Sequence, residues 1–388
     1  MSQKIILNNG KYEKLDKKEL NNNLHTKALL LDLWKNFYDV SIKNINFTRI
    51  EIDDFPKIPY YEVNGNILRT TRHFGQRKLL LSEIEFLTIM YNKYNLMKYD
   101  KVILLYVGAA PGYHIPILIN LFPNLYCHLY DPQPFTINNK YHIKIIQDFF
   151  TNKDVDKYYK KTLKNKKILF ISDIRDPFYD KERVDQLQND MRLQQKWAID
   201  IKPLGAMFKF RLLFDDNNTK YLIGDSYLPV WGRLTTTETR LICNKDDTNN
   251  WTKFKLYNNK DHEQRMFYFN NCYRMSLFNH NVHNVPGICH CYDCTSEVVI
   301  VFNYLNLMKK YNITVNLNND NVYKLNSKFK ITNNIIGDFM NYNSKICHYN
   351  LNDPNVSYEE RLKNMKKRKD RAILLKNKKY YNNYLKNN

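Results

Sequence analysis

The chain has no apolar run approaching the roughly 18–20 residues needed to cross a bilayer, which speaks against a membrane-spanning protein. Its first residues, Met1-Ser-Gln-Lys-Ile-Ile-Leu-Asn8, hold too short an apolar stretch for a secretory signal. It lacks a G-x-G-x-x-G turn, so a dinucleotide is not the expected cofactor. Its 7 cysteines include no paired C-x-x-C spacings of the kind that build a zinc knuckle. No internal repeat is visible. Acids are outnumbered, with 39 Asp and Glu against 60 Lys and Arg, giving a net charge of +21 and an isoelectric point near 9.4.

That basic excess favours a polyanionic partner, most simply nucleic acid, with an anionic membrane surface as the alternative. An AT-rich coding genome would also enrich Asn and Lys and account for part of the charge. The 30 Tyr and 21 Phe are enough to stack on bases, although most are expected in the core. Cysteines in such a protein, without a secretory signal, imply reduced thiols in a cytosol-like compartment.

Hydrophobic periodicity divides the sequence. Residues 1–60 are polar, Asn/Lys-rich and expected to be partly ordered. Leu79, Leu80, Ile84, Leu87, Ile89 and Met90 predict an amphipathic helix within Phe74–Met97. Strands are then predicted over Lys101–Val107, Leu125–Tyr130, His142–Ile146, Lys167–Ser172 and Leu204–Arg211. Helices are predicted over Tyr113–Phe122, Lys153–Thr162 and Asp180–Ile199. Tyr221–Trp231 and Thr237–Cys243 read as closing antiparallel strands. This alternation implies an α/β fold, a Rossmann-like sheet of five to seven mostly parallel strands with helices on both faces. The expected units are 1–60, a domain over 61–275, an appendage over 276–357 carrying one helix at Ser296–Tyr311, and a tail over 358–388. The tail holds eleven Lys/Arg and three acids. It is either a nucleic-acid arm or a solvated helix.

The first strand runs into Gly108-Ala-Ala-Pro-Gly112. Gly108 lets the backbone turn, Gly112 lets a ligand approach closely, and Pro111 suits a helix start. Asp131 ends the second strand, where an acid meets the ribose hydroxyls of a nucleotide-like cofactor. In open α/β sheets the carboxyl ends of strands line the ligand crevice. Asp173 and Lys209 would meet there, one strand apart. Lys209 interrupts an apolar strand, and a buried Lys rarely lacks a function.

The glycine turn resembles the S-adenosylmethionine loop of FtsJ-like RNA 2′-O-methyltransferases. Lys78, Asp173, Lys209 and Glu238 follow the order of the Lys-Asp-Lys-Glu tetrad of those enzymes. Gly75–Leu87, Tyr106–His114 and Ile168–Arg175 resemble segments of the poxvirus-type cap-specific mRNA 2′-O-methyltransferases, which also serve as stimulatory subunits of the viral poly(A) polymerase. The resemblance covers about residues 60–275 and implies a methyltransferase fold and S-adenosylmethionine as cofactor.

It further implies cofactor contacts from Gln76, Tyr106, Gly108, Ala109, Pro111, Gly112 and Phe150 beside Asp131. At Gln133 this sequence departs from the poxviral pattern, which has Arg there, so an adenine contact from that position is in doubt. His114 either packs, caps or serves the site. Lys209 would be the general base, its pKa brought down from about 10.4 by desolvation and by Lys78. Asp173 and Glu238 would orient the two lysines, and Lys78 would stabilise the developing alkoxide. A cap pocket would stack cationic 7-methylguanine between Tyr61 (or its neighbour Tyr60) and Phe214, with Asp216 and Glu263 as acceptors. Arg175, Arg211 and Arg240 would contact phosphates or pair with neighbouring acids.

The implied partners are capped mRNA and the catalytic subunit of a viral poly(A) polymerase, and the implied location is the cytoplasm, in the viral factory or virion of a large DNA virus. The alternatives are a 2′-O-methyltransferase acting on ribosomal or transfer RNA, and an RNA-binding processivity subunit. No metal is required. Cys289, Cys291 and Cys294, with Cys272, His280 or His283, are weak zinc candidates, and buried reduced thiols are the favoured reading.

Overall fold

The computed structural model describes residues 4–6, 12–14, 46–57, 75–156, 166–174, 184–232, 236–247, 251–271, 273–275 and 291–313, together with 278, 280 and 282. Strand β1 (Val102–Val107) is buried along its whole length. Val102, Leu104 and Tyr106 face one core cluster, while Ile103, Leu105 and Val107 face another. A strand alternates its side chains between two faces, so a run apolar at every position requires cover on both. Helices α1 (Gly75–Tyr94), α2 (Ile115–Leu121) and α5 (Tyr292–Lys310) cover one face. Helix α3 (Val184–Ile201) covers the other with Met191, Leu193 and Trp197. A third cluster forms where α4 (Asn259–Asn271) packs Met266, Tyr268 and Phe269 against Phe55, Tyr273 and Tyr292.

Apart from Lys4–Ile6 and Tyr12–Lys14, which pair as a separate two-stranded antiparallel sheet, the other strands are β2 (Leu125–Tyr130), β3 (Ile143–Ile146), β4 (Lys167–Ser172), β5 (Gly205–Phe210), β6 (Asn218–Leu222), β7 (Asp225–Tyr227), β8 (Thr239–Asn244) and β9 (Phe254–Asn258). Seven of them form one sheet in the order β3-β2-β1-β4-β5-β8-β7. From β3 to β5 all neighbours are parallel, and β8 is antiparallel to both β5 and β7. The sheet grows outward from β1 to β3, then the backbone returns to lay β4 on the other side of β1. That reversal opens a crevice beyond the carboxyl ends of β1 and β4.

The expected α/β architecture is present, with differences in detail. The single strand expected over Tyr221–Trp231 is broken into β6 and β7, which join different sheets. β6 pairs with β9 and β7 with β8. Gly224 sits at the break, where a Cβ would stand 2.6 Å from the Ile242 carbonyl oxygen. Only a residue without a side chain lets the backbone pass there. Helix α2 starts at Ile115 with Pro116 in its first turn, a position with no helical N–H bond to lose. Of the helix expected over Lys153–Thr162, a turn at Asn152–Asp154 is present, and residues 157–165 lie outside the described residues.

Two expected boundaries also shift. Within the polar first 60 residues, Ile50 bridges Tyr227 at the sheet edge and Phe55 is buried. Helix α5, expected in a separate appendage after residue 275, packs Val298, Val301 and Tyr304 into the same cluster as α1 and α2. The basic tail lies outside the described residues.

Candidate active site

Gly108 follows β1 with φ of +83°, and a Cβ there would stand 2.7 Å from the carbonyl carbon and oxygen of Asp173. Both the backbone angle and the close approach exclude a side chain. The Asp173 N–H donates to the Val107 carbonyl at 2.9 Å, so the ends of β1 and β4 are tied together. Gly112 has φ of +77° and fits against Ile137 and Phe135. After β2, the Asp131 carboxylate accepts the Ala110 N–H at 3.0 Å and the Gln133 N–H at 2.8 Å. Burial pushes Asp131 up to about 6, with Asp173 adding to the rise and Lys209 opposing it. This acid therefore braces the glycine turn and shares an electrostatic field with the residues beyond it. Each carboxylate oxygen keeps further acceptor capacity.

Four separate elements bring Lys78, Asp173, Lys209 and Glu238 together. Lys78 sits in the first turn of α1, Asp173 follows β4, Lys209 lies in β5 and Glu238 precedes β8. Lys78 Nζ donates to Glu238 Oε1 at 2.5 Å. Lys209 Nζ lies 3.1 Å from Asp173 Oδ1. Arg240, directly across the β5–β8 register from Lys209, binds Asp173 Oδ1 at 2.7 Å and approaches Glu238 Oε1 at 3.3 Å. Its guanidinium thereby links the two ion pairs, and of the two sequence-level readings for Arg240 the structure supports pairing with acids.

The cluster holds three cations against two carboxylates, all largely buried. Burial opposes the charge of Asp173, yet Arg240 first and Lys209 next hold its carboxyl below the usual range. Burial depresses Lys78 most, Glu238 opposes that, Arg240 adds to it, and the net value is about 8. A cation in the first turn of a helix is also disfavoured by the helix dipole. Burial works against the Arg240 charge, but Asp173 and Glu238 outweigh it and raise its pKa.

The other expected residues are distributed unevenly. Tyr106 is fully buried in β1, with Glu83 and Asp173 near enough to add to the burial that raises its phenol. Phe150 is 2% exposed, edge-on to both Tyr130 and Trp197. Its ring is thus committed to the core, which leaves only its backbone for a ligand contact. Gln76 lies in α1, but its side chain is outside the described set. Phe214 is 53% exposed, with the Arg211 guanidinium 5.3 Å from its ring centroid. Asp216 is exposed on the same loop, and Glu263 is buried in α4 with Lys260 Nζ at 3.8 Å. Asp215 Oδ1 accepts from Asn259 Nδ2 at 2.6 Å, which fixes this loop against the start of α4, about one turn before Glu263.

Tyr60, Tyr61, Arg175, Cys272, His283 and Cys289 lie outside the described residues. Cys291 and Cys294 are buried. Among the described residues no group of three or more His, Cys, Asp or Glu could hold a metal.

Several supporting contacts were not anticipated. His114 Nε2 meets Glu83 at 2.8 Å, with both side chains buried. Arg77, next to Lys78, pairs with Glu297 of α5 at 2.7 and 2.9 Å, and the Trp231 indole N–H donates to the same carboxylate at 2.8 Å. Asp293, one turn earlier in α5, accepts the Trp231 backbone N–H at 2.7 Å and pairs with Arg274. His262 contacts Glu51 at 2.8 Å and the Thr237 carbonyl at 2.8 Å, one residue before Glu238. Two acceptors around one imidazole favour its doubly protonated form. The spacing of Asp293 and Glu297 on one helical face is the one sequence signal that could have found these.

The family model described as Poly A polymerase regulatory subunit matches residues 50–333. The chain belongs to this family. Among its relatives is a fowlpox virus (strain NVSL) protein named cap-specific mRNA (nucleoside-2′-O-)-methyltransferase, 28% identical over 209 residues. That match covers 50% of this chain and 66% of the relative. A myxoma virus (strain Lausanne) protein of the same name is 28% identical over 239 residues, covering 58% of this chain and 68% of the relative. The chain thus spans about two thirds of the length of these family members. A solved structure of bluetongue virus VP4, described as a multifunctional RNA-capping production line, aligns with a TM-score of 0.39 and 15% identity. The alignment takes in 55% of this chain and 35% of that one, too slight a likeness to carry an argument.

Proposed function

We propose that this protein transfers a methyl group from S-adenosylmethionine to the ribose 2′-hydroxyl of the first transcribed nucleotide of 7-methylguanosine-capped mRNA. The observation that carries this reading is the convergence of Lys78, Asp173, Lys209 and Glu238 in one ion-pair network beside the Gly108 turn. The names of the poxviral relatives support the same chemistry.

The chemistry of the turn suits such a cofactor. Gly108 and Gly112 provide a close-approach backbone, and Asp131 offers acceptors to ribose hydroxyls. Ala109, Pro111, the backbone near Phe150, Gln76 and Tyr106 would complete the holder. Bound there, the cofactor supplies an electrophilic methyl group on a sulfonium that departs as a neutral thioether.

The protein's own residues handle the proton. Lys209 Nζ accepts it from the 2′-hydroxyl, and Asp173 fixes the direction of that amine. Lys78, held by Glu238, places positive charge beside the oxygen as it becomes an alkoxide. With three cations facing two acids, release of one proton leaves the cluster balanced. A second assignment, Lys78 as proton acceptor, is favoured by its value of about 8. Substituting each lysine separately distinguishes the two, since the base costs the larger factor, about 100-fold or more.

The cap would stack on Phe214, a ring that already carries a cation on its face in Arg211. Tyr61 would close the stack, while Asp216 and Glu263 accept the base N–H groups. Arg175 and Arg211 would meet phosphates. The family description supports the catalytic subunit of a poly(A) polymerase as a second partner. No described helix is long and apolar enough to cross a membrane, and this reading places the protein in the cytoplasm at the site of viral transcription.

The test compares methyl transfer to three RNAs, with a 7-methylguanosine cap, an unmethylated cap and no cap, and maps the methylated ribose. Transfer to the first ribose of the 7-methyl-capped RNA alone is expected. Equal transfer to all three, or an internal methylated site, would favour an enzyme acting on ribosomal or transfer RNA.

A further inference from the structure

Parallel strands start at one edge of a sheet and end at the other. The tetrad and the Gly108 turn occupy the carboxyl edge. At the opposite edge, β3, β2, β1, β4 and β5 begin side by side. Adjacent strands lie about 4.8 Å apart, so these five starts span roughly 19 Å. Tyr141 precedes β3, Tyr126 is the second residue of β2, Tyr99 and Lys101 precede β1, Lys167 opens β4 and Lys202 precedes β5.

The rings and cations there are interleaved. Lys101 Nζ sits 4.2 Å from the Tyr126 ring centroid and Lys167 Nζ 4.8 Å from that of Tyr99. His142 stacks on Tyr126 at 4.2 Å and is fixed by the Leu125 carbonyl at 2.9 Å. Tyr141 meets Tyr126 edge-on at 5.6 Å and is 83% exposed, while Tyr99 is 40% exposed. Large aromatic side chains at such exposure have no role in the core. Burial first, then the ammonium groups of Lys144 and Lys101, hold neighbouring His128 near 4. Acids at this edge are Asp100, Asp200 two residues before Lys202, and Asp246 and Asp247 just past β8, whose last residue pairs with the first of β5.

We propose that this edge of the sheet is a binding track for the body of a single-stranded RNA, separate from the methyl-transfer site. Fixed rings alternating with lysines suit single-stranded nucleic acid, because every base offers a π-face and every link a phosphate. A docking face for a folded protein would instead show a contiguous apolar centre with charge removed from it. The inference stands apart from the proposed chemistry, because it uses none of the tetrad, glycine-turn or cap residues.

Binding of labelled uncapped oligouridylate to the full-length protein tests it, as a function of salt, with duplex RNA, anionic vesicles of phosphatidylserine and phosphatidylcholine, and a polyglutamate peptide as comparisons. Tyr141→Ala, at a solvent-exposed position, is expected to weaken oligouridylate binding about fivefold or more. It should leave duplex RNA binding and thermal unfolding unchanged. Replacing Lys101, Lys167 and Lys202 by Gln should lower the slope of log affinity against log salt by about 2. Wild-type affinity and slope in both folded variants would overturn the proposal. So would equal losses for vesicles or polyglutamate, which would mark a general polyanion surface.

Discussion

Arg240 keeps its guanidinium between two carboxylates with 4% of its surface exposed. Arg240→Ala would take away the guanidinium that bridges Asp173 and Glu238, leaving each buried acid with a single lysine partner and the two ion pairs unlinked. Removing one partner of such a buried network costs about 3–5 kcal/mol. A fall of that size in denaturant-derived stability is expected, together with loss of methyl transfer, and an unaltered midpoint would deny Arg240 this bridging role. Lys78 gives a pH prediction. Its folded value of about 8 lies below its usual 10.5, so the folded state sheds that proton first. If the neutral amine takes part in the reaction, the rate rises about tenfold per pH unit below 8 and levels off above it. A flat profile across that range would remove neutral Lys78 from the scheme.

At the scale of elements, the site is assembled by pieces from both ends of the described residues. Helix α5 grips Arg77 through Glu297 and the Trp231 loop through Asp293. The segment around Glu51 reaches His262, which in turn holds the Thr237 carbonyl. Burial works against the Glu51 charge, but His262 and then Arg265 pull its pKa from 4.5 down to about 2. That contribution to stability is present above pH 4.5 and is lost as pH falls towards 2. For His262, which burial opposes and Glu51 raises, the contribution is present below 6.5 and is lost as pH rises through the elevated value. Glu51→Gln should therefore flatten the acid limb of melting temperature against pH, and an unchanged limb would show that the pair does not govern it.

Much of this was legible in the sequence and some was not. β1 could be read because burial on both faces makes a strand apolar at every position, and Lys209 because it interrupts such a run. The break at Gly224 was hidden, since its cause is the approach of Ile242 from another strand. The role of α5 was hidden too, because the partners of Asp293 and Glu297 lie far away in sequence. Phe150 was implied as a cofactor residue by the resemblance alone, and the packing of its ring was hidden because the neighbours that bury it, Tyr130 and Trp197, come from separate elements.

At the scale of the molecule, a charge of +21 is the sequence's broadest statement about its partner. The proposed sites are at opposite edges of one sheet, so RNA contacts at the tetrad and on the Tyr141 face can be varied separately. The segment 358–388, with eleven Lys/Arg and three acids, would add phosphate contacts to either. Its deletion should flatten the salt dependence of RNA binding, and an unchanged slope would make it a bystander. The proposed chemistry itself rests on Lys209. The most direct measurement pairs the single-turnover methyl-transfer rate of Lys209→Ala with its affinity for 7-methylguanosine-capped RNA. The expected result is a rate lower by about 100-fold or more with affinity close to that of the unaltered protein, whereas an unaltered rate would contradict the assignment of Lys209 as the base.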